Sequence, residues 1–492
     1  MNCTVVISGG GPAGLMLASE LGMAGVDTVV LEKEHDRETG SNLRSTMLHA
    51  RAVDLLERRG LMERIGRDAF VKWPLIHFAN FWLDLQPLLE HEYSLIVPQT
   101  HTVSVLEERA REVGADIRRG HELTGVTQDE DGVTVHVRSG GEEYRIDARY
   151  LVGCDGEDSA VRRLAGFEAP QSGITWYGVL ADYENASAEP ASPTYPGGLF
   201  ARTPHPYKQG WVRTMTMELG VDAPGPEVPV TVEELRTAAE RITGEKQELG
   251  PPTWAYRYTN RTRLAARYRD GRVFLAGDAA HVHYFAAGHG VSTGLHDAVN
   301  LGWKLAAEVR GQAPAGLLDT YQTERHAVGR RACVSAEAQL ALLHPPERVA
   351  PLRELFEELV RFPDVNRHLV GVITDVRYPF EHTGATAHPL LGAPVPDAPL
   401  KTADGETTLA ATLRNGRGVV LDLRDGSGGI SRWEDRVDLV AATPVAGLDA
   451  ARLLVRPDGH VAWVDADGTD DEGLRTALTT WFGAPADEQE AL

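Results

Sequence analysis

Thr4-Val5-Val6-Ile7-Ser8-Gly9-Gly10-Gly11-Pro12-Ala13-Gly14 is an apolar run that ends in a glycine turn. Beyond it, Leu17, Leu21 and Ala24 share one face of a helix, Gly25 terminates it, and Thr28-Val29-Val30-Leu31 forms a second strand closed by Glu32. The pattern predicts a β-α-β unit. Each small residue has a mechanical reason: Gly9 permits the tight turn, Gly11 lets a pyrophosphate approach the backbone, and Gly14 lets the helix pack closely on the strand. The Glu32 carboxylate stands where it can accept hydrogen bonds from a ribose hydroxyl pair, and its charge disfavours a 2′-phosphate there. This unit implies a dinucleotide-binding α/β fold without saying which dinucleotide.

Working outward, 492 residues exceed what one hydrophobic core normally serves, and 42% hydrophobic residues suffice to fill two or three. A formal charge of −22 disfavours nucleic acid and anionic membrane surfaces. The first strand begins almost at once, with no signal-like segment before it and no apolar run of spanning length, so a soluble, cytoplasmic protein is expected. Cys3, Cys154 and Cys333 are too few and too scattered for a disulfide framework or a zinc site, and are read as packing residues.

Helices are expected from about Leu48 to Arg59 and near Leu106 to Val113, followed by a half-exposed hairpin around Asp131-Gly132 and a strand at Tyr150-Leu151-Val152-Gly153. From Pro170 to about Arg263 the pattern is β-rich and irregular, which suggests an inserted second domain. A helical tract runs from about Ser292 to Arg310 and continues in pieces to about Arg377. Pro389 to Pro399 reads as a linker to a small α/β domain with strands at Gly418-Val419-Val420-Leu421-Asp422 and Leu453-Leu454-Val455. No internal repeat is evident.

Two further motifs join the glycine turn: Asp155-Gly156-Glu157-Asp158-Ser159-Ala160-Val161-Arg162 and Gly277-Asp278-Ala279-Ala280-His281. Asp278 follows the apolar strand Val273-Phe274-Leu275-Ala276, where open α/β sheets place ligands, and a helix rich in small residues comes next. A carboxylate there suits a polyol hydroxyl and a helix N-terminus suits a polar ring edge, which together describe the ribityl and isoalloxazine of FAD. Asp155 and Arg162 admit two readings, cofactor contact or an internal brace.

With these residues, the chain resembles the FAD-dependent aromatic hydroxylases of the para-hydroxybenzoate hydroxylase superfamily, closest to bacterial aromatic polyketide hydroxylases and rifampicin-type monooxygenases. The likeness also draws on Val97-Pro98-Gln99, Gly114 to Gly120, Asp297 to Leu305 and Arg456-Pro457-Asp458-Gly459-His460-Val461. It implies an α/β protein in which residues 1–72, 96–169 and 264–388 form a Rossmann-like FAD-binding domain with a helical extension. An inserted β-rich substrate domain would comprise 73–95 and 170–263, and residues 389–492 a thioredoxin-like C-terminal domain without CxxC, since no cysteine follows Cys333.

The resemblance further implies FAD contacts at Gly9, Gly11, Pro12, Ala13, Gly14, Glu32, Lys33, Arg44, Gln99, Leu123, Asp155, Asp278, Gly288, His289, Gly290, Val291 and Ser292. Glu32 would meet the adenosine ribose, Arg44 and Gln99 the centre of FAD, Leu123 the adenine, and Asp278 the pyrophosphate or ribityl side. NADPH or NADH serves as reductant in such enzymes without a nucleotide fold of its own, in keeping with a single glycine-rich β-α-β unit. Reduced flavin then takes up O2 as a C4a-hydroperoxide that hydroxylates a phenolic ring, here a polycyclic aromatic polyketide, phenol or quinone. No protein nucleophile is needed, so no catalytic residue is assigned. A monomer or homodimer is expected. Trp73, Phe78, Phe81, Trp82, Tyr177, Trp211 and Phe285 are the candidate lining of the substrate pocket.

The chain departs from the family pattern at the ring end. Relatives usually carry Pro where Phe285 stands, Gly at Ala287 and at Met47, Gln at His289, Met or Leu at Val291, Asn at Ser292 and Glu at Val103. The added bulk beside the isoalloxazine leaves a second reading: altered chemistry, either Baeyer-Villiger or non-oxygenating, with weakened or lost FAD binding. A non-catalytic partner protein is the third. His281, His283, His289 and His296 are spread over a strand end, a loop and a helix, with no acid or cysteine cluster beside them, so no metal is expected. His289 suits a neutral imidazole that hydrogen-bonds flavin or substrate.

Overall fold

The alternating and continuous apolar runs of the first 32 residues build the centre of the largest sheet. The computed structural model describes residues 2–36, 45–85, 93–185, 194–195, 197–222, 224–225, 228–284, 288–374, 376–380, 388–424, 431–443 and 448–485. Strand β1 (Asn2–Ser8) leads through helix α1 (Pro12–Met23) to β2 (Thr28–Glu32). β1 lies between β2 and the long strand β3 (Glu142–Gly153), parallel to both, and β4 (Val273–Leu275) adds in parallel on the far side of β3. Asp116–Arg119 pairs in parallel with β2, while the hairpin Glu122–Gln128 and Val133–Ser139 pairs antiparallel with β3.

Register aligns Ser8 with Leu31 and Gly153, and Gly153 with Leu275. The carboxyl ends of four strands therefore open onto one crevice at the point where chain order reverses, the expected ligand position of such sheets. Helices α1 and α2 (His289–Val309) pack together across this sheet, and α3 (Asp319–Ala341) continues from them.

The second sheet is antiparallel, in the order Thr194–Tyr195, Gly198–Pro204, Trp211–Leu219, Trp176–Glu184, Trp254–Thr259. Successive residues of Trp176–Glu184 face opposite ways, as pleating demands. Tyr177, Val179, Ala181 and Tyr183 meet helix Val232–Thr243, whereas Trp176 packs with Tyr284, Ala336 and the hairpin containing Ile76 and Leu83. That helix was not expected within this β-rich and irregular stretch. Its signal was present as Thr231-Val232-Glu233-Glu234, and the Thr231 hydroxyl accepts the Glu234 N–H at 3.1 Å. Helix Gln99–Glu112 likewise begins a full two turns before the expected Leu106.

Residues 388–485 hold a four-stranded sheet in the order Val437–Ala441, Gly418–Asp422, Arg452–Val455, Val461–Asp465. Helix Asp471–Phe482 covers one face through Val420, Leu454 and Trp463. This unit docks on the first through buried charges. Arg456 donates to Glu324 of α3 at 2.7 and 2.9 Å, Lys304 of α2 donates to the same carboxylate at 2.8 Å, and Arg59 bridges Glu20 of α1 to the Pro457 carbonyl. Removing one partner of such a group costs about 3–5 kcal/mol, so the contact is held firmly. Among the described residues no helix is long and apolar enough to cross a membrane.

Candidate flavin site

The glycine turn closes on the backbone of the neighbouring strand. Gly9 has φ +109°, and a Cβ there would come within 2.3 Å of the Cys154 carbonyl oxygen. A Cβ at Gly14 would lie 2.0 Å from the Gly9 carbonyl, whereas one at Gly11 would meet nothing within 4 Å. The turn is thus tight against protein at Gly9 and Gly14 and open on the side of Gly11, where a pyrophosphate would approach. Pro12 opens α1, with Ala13 beside Gly277 and Gly294 of the third motif and α2. The Glu32 carboxylate accepts Gly10 N–H at 2.8 Å and Glu34 N–H at 2.9 Å, which holds it over the turn. Lys33 is exposed.

Asp155 proves to be a cap. One carboxylate oxygen accepts the N–H groups of Ala160 and Val161 at 2.7 and 3.0 Å, while Arg162 donates to the carbonyls of Ala279 and Glu157 at 3.0 and 2.7 Å. The two side chains brace separate backbone segments rather than each other. The second oxygen of Asp155 is buried with no partner among the described residues, so this residue retains an acceptor for a hydroxyl donor in the crevice.

Asp278 follows β4 and is exposed, with its carboxylate near Gly290 of α2. Beneath it lies Asp297, which sequence reasoning carried only as part of a motif. One oxygen accepts Gly277 N–H at 3.0 Å and His281 Nε2–H at 2.7 Å; the other accepts Arg325 Nε–H at 2.6 Å. Arg325 also donates to the Thr293 carbonyl at 3.1 Å and to Tyr378 Oη at 3.2 Å. All three polar side chains are fully buried, and the surrounding positive charge holds the Asp297 carboxyl down at about 2 despite that burial. The Gly277 turn and the first turns of α2 are fixed to one another by this carboxylate.

At the ring end, Gly288 caps α2, and a Cβ there would lie 3.2 Å from the Met47 Cβ. Ser292 Oγ accepts His49 N–H at 3.2 Å, tying α2 to the start of helix Ala50–Glu57. His289 is 2% exposed, with ring centroids 5.8 Å from His49 and 5.7 Å from His283. Burial depresses the His289 and His283 imidazoles below the usual histidine range, more strongly for His289, and each is further depressed by a neighbouring histidine. Gly290 and Val291 complete the turn. Gln99 is buried at the start of its helix, Leu123 is buried on strand Glu122–Gln128, and Val103 packs in the main core. Arg44, Phe285 and Ala287 lie outside the described residues.

The candidate substrate aromatics do not share one cavity. Phe78 and Phe81 pack on Phe356, with centroids at 5.9 and 5.0 Å, in the core beneath the second sheet. Trp73 and Trp82 touch each other at the surface. Tyr177 lies on the opposite face and donates to Glu234, and Trp211 stacks under Lys208 at the start of its strand. The period-2 alternation of Trp176-Tyr177 was the signal that separates these faces. The other histidines of the expected cluster are bonded locally: His281 to Asp297, and His296 Nδ1 to the Ser292 carbonyl at 2.8 Å.

Residues 2–336 match the FAD binding domain family, and residues 388–485 match the aromatic-ring hydroxylase C-terminal family. The chain belongs to the FAD-dependent aromatic-ring hydroxylases. Members of this family are flavin monooxygenases, and FAD is the cofactor to which the crevice corresponds. The chain is similar to the anhydrotetracycline hydroxylase structure from Streptomyces rimosus, at 41% identity, 99% of this chain, 100% of that chain and TM-score 0.91. It is 39% identical to a rifampicin monooxygenase of Streptomyces venezuelae, over 98% of each chain. A dialkyldecalin synthase of Streptomyces rugosporus is 41% identical, over 99% of this chain and 100% of its own. A hydroxylase framework thus also occurs in a relative named for a synthase activity.

Proposed function

We propose that this chain is an FAD-dependent, NAD(P)H-using monooxygenase that hydroxylates a polycyclic aromatic polyketide, phenol or quinone, in natural-product biosynthesis. The observation that carries the reading is likeness along nearly the whole chain to an anhydrotetracycline hydroxylase, at 41% identity. The crevice supports it: the open side of Gly11, the spare Asp155 oxygen and the exposed Asp278 are acceptable neighbours for pyrophosphate, ribose and ribityl. In this reading Gly9, Gly11, Pro12, Ala13, Gly14, Glu32 and Lys33 hold the adenosine diphosphate part, with Gln99, Leu123 and Asp155 beside it. Asp278 and Gly288 to Ser292 hold the flavin end.

Bound FAD, reduced by NADPH or NADH, supplies the activation of O2 and the transfer of one oxygen atom to the aromatic ring. The chain contributes position and electrostatics. The amide end of α2 places positive potential beside the ring, which favours the charge that a reduced flavin carries. Asp297 and Arg325 hold that helix end in register with the Gly277 turn, and the Nε2 atoms of His283 and His289 are buried from solvent. We assign residues 1–72, 96–169 and 264–388 to FAD binding. Residues 73–95 and 170–263 form an inserted substrate-binding domain, and 389–492 a thioredoxin-like docking domain without CxxC.

The test is turnover of a polycyclic phenol by the FAD-loaded protein with NADPH or NADH under labelled dioxygen. One labelled oxygen atom per reductant consumed supports hydroxylation. A second reading, non-oxygenating chemistry in the same pocket, is favoured by the dialkyldecalin synthase likeness together with Met47 against Gly288 and His289 in the ring-end turn. Product formed without reductant or labelled oxygen would decide for it.

A further inference from the structure

We infer that His283 and His289 form a paired hydrogen-bond acceptor that selects ligands bearing a hydroxyl group; the inference rests on the aromatic-substrate reading. His283 Nδ1 lies 2.9 Å from the Tyr284 carbonyl oxygen. A carbonyl only accepts, so Nδ1 carries the proton and Nε2 of the neutral ring presents a lone pair. The Ile373 backbone bonds the His289 ring, and Nε2 is the His289 nitrogen left buried without a partner among the described residues. Its Nε2 is therefore also an acceptor. Both Nε2 atoms are buried, and neither has a hydrogen-bond partner among the described residues.

The two rings meet nearly at right angles, with centroids 5.7 Å apart. Burial opposes the protonation of both rings and outweighs the nearby Asp278 carboxylate, which favours it at His283. Two lone pairs in a dry chamber repel a carboxylate, a phenolate or a bare quinone oxygen, and are satisfied by O–H or N–H. An unsatisfied buried acceptor costs about 1–3 kcal/mol, which is the penalty that a methyl ether would leave in place. The segment carrying His283 and the first turn of α2 carrying His289 both follow the Asp278 motif, so the pair stands at the ring end of the flavin crevice. A flavin N–H offers the same donor chemistry as a phenol, and the experiment separates the two sources.

FAD-loaded protein is titrated with 1-hydroxypyrene and with 1-methoxypyrene, and FAD affinity and thermal melting are measured in parallel. The wild type is expected to bind the hydroxyl compound about tenfold more tightly than the ether. His289→Leu and His283→Leu should each bring the two ligands toward equal affinity, and FAD affinity should be unchanged in His283→Leu. His289→Gln, which keeps volume and an acceptor oxygen, should retain part of the preference and carries the test if a leucine variant does not fold. An undiminished preference in these variants overturns the inference alone. So does a tenfold loss of FAD affinity in both histidine variants, which would assign the pair to the flavin. Failure of the wild type to bind either compound overturns the substrate reading and the inference with it.

Discussion

The two ends of the flavin crevice are built by different means. At the dinucleotide end the ligand-facing surface is backbone: Gly9 to Gly14 are shaped by close approach to Cys154, and Glu32 and Asp155 spend carboxylate oxygens on amides of Gly10, Ala160 and Val161. At the ring end the surface is side chain. Met47 and His49, His283, and His289 with Ser292 of α2 come from three stretches of the chain and are neighbours of one another. Backbone recognition of a pyrophosphate leaves little freedom of sequence, whereas a chamber of side chains can be refitted to a new ligand without disturbing it. The difference explains how one framework serves relatives named as hydroxylases and as a synthase.

The comparison breaks most severely at Gly14. Gly14→Val would drive a branched side chain toward the Gly9 carbonyl, which already lies 2.0 Å from an added Cβ. FAD should fail to co-purify, and its affinity, read by fluorescence quenching, should fall more than about a hundredfold, beyond the roughly 3 kcal/mol that moderate overpacking costs. Retained yellow colour would show that the turn is not the pyrophosphate cradle.

Asp297 serves both ends, so its removal should blur the distinction. Asp297→Ala leaves Arg325 buried without its carboxylate partner and frees Gly277 N–H. A destabilisation of about 3–5 kcal/mol is expected in urea unfolding, with loss of FAD affinity as well. A loss below about 1 kcal/mol would mean that Tyr378 and the Thr293 carbonyl suffice to hold Arg325.

The unequal legibility of the two ends has the same cause. The tight turn at Gly9 and Gly14, the Glu32 carboxylate over it and the place of Asp278 after β4 were readable because a strand, a turn and a helix adjacent in sequence form one local unit. Helix Val232–Thr243 was missed although Thr231 and Glu234 signalled its start, because the flanking stretch reads as strands and turns. Asp297 was overlooked since its partners, Gly277 and Arg325, are brought to it by tertiary packing. Tyr177 and Trp211 were grouped with Phe78 and Phe81 by aromatic character alone, and only strand register shows which face each occupies. Family likeness located His289, but the direction of its free nitrogen depends on Ile373, which no local pattern links to it.

The ring-end helix should also be the acid-sensitive part. Burial and nearby Arg325 lower the His296 imidazole to about 3, while the unfolded chain titrates near 6.5. The unfolded state therefore takes up the proton first, so this site's full stability exists above pH 6.5 and is lost as pH falls toward 3. Between pH 7 and pH 5 the loss from His296 should be about 2 kcal/mol. His296→Gln should flatten that part of the profile of melting temperature against pH. An unchanged slope would show that His296 opens to solvent.

The smallest expected effect lies at Glu32, where charge rather than shape is changed. Glu32→Gln keeps an acceptor oxygen for Gly10 N–H, now 2.8 Å from the carboxylate, but replaces a charge-assisted bond by a neutral one. The loss is about 1 kcal/mol, or roughly fivefold in FAD affinity, with the ring-end spectrum of the bound flavin unaltered. A shifted flavin spectrum would show that the two ends are coupled through the turn, and that the division between a fixed dinucleotide end and an adaptable ring end is not one the molecule observes. An affinity loss much beyond tenfold would show that the ribose hydroxyls depend on the charge of the carboxylate and not only on an acceptor oxygen, since weakening two hydroxyl bonds costs more than weakening one amide bond.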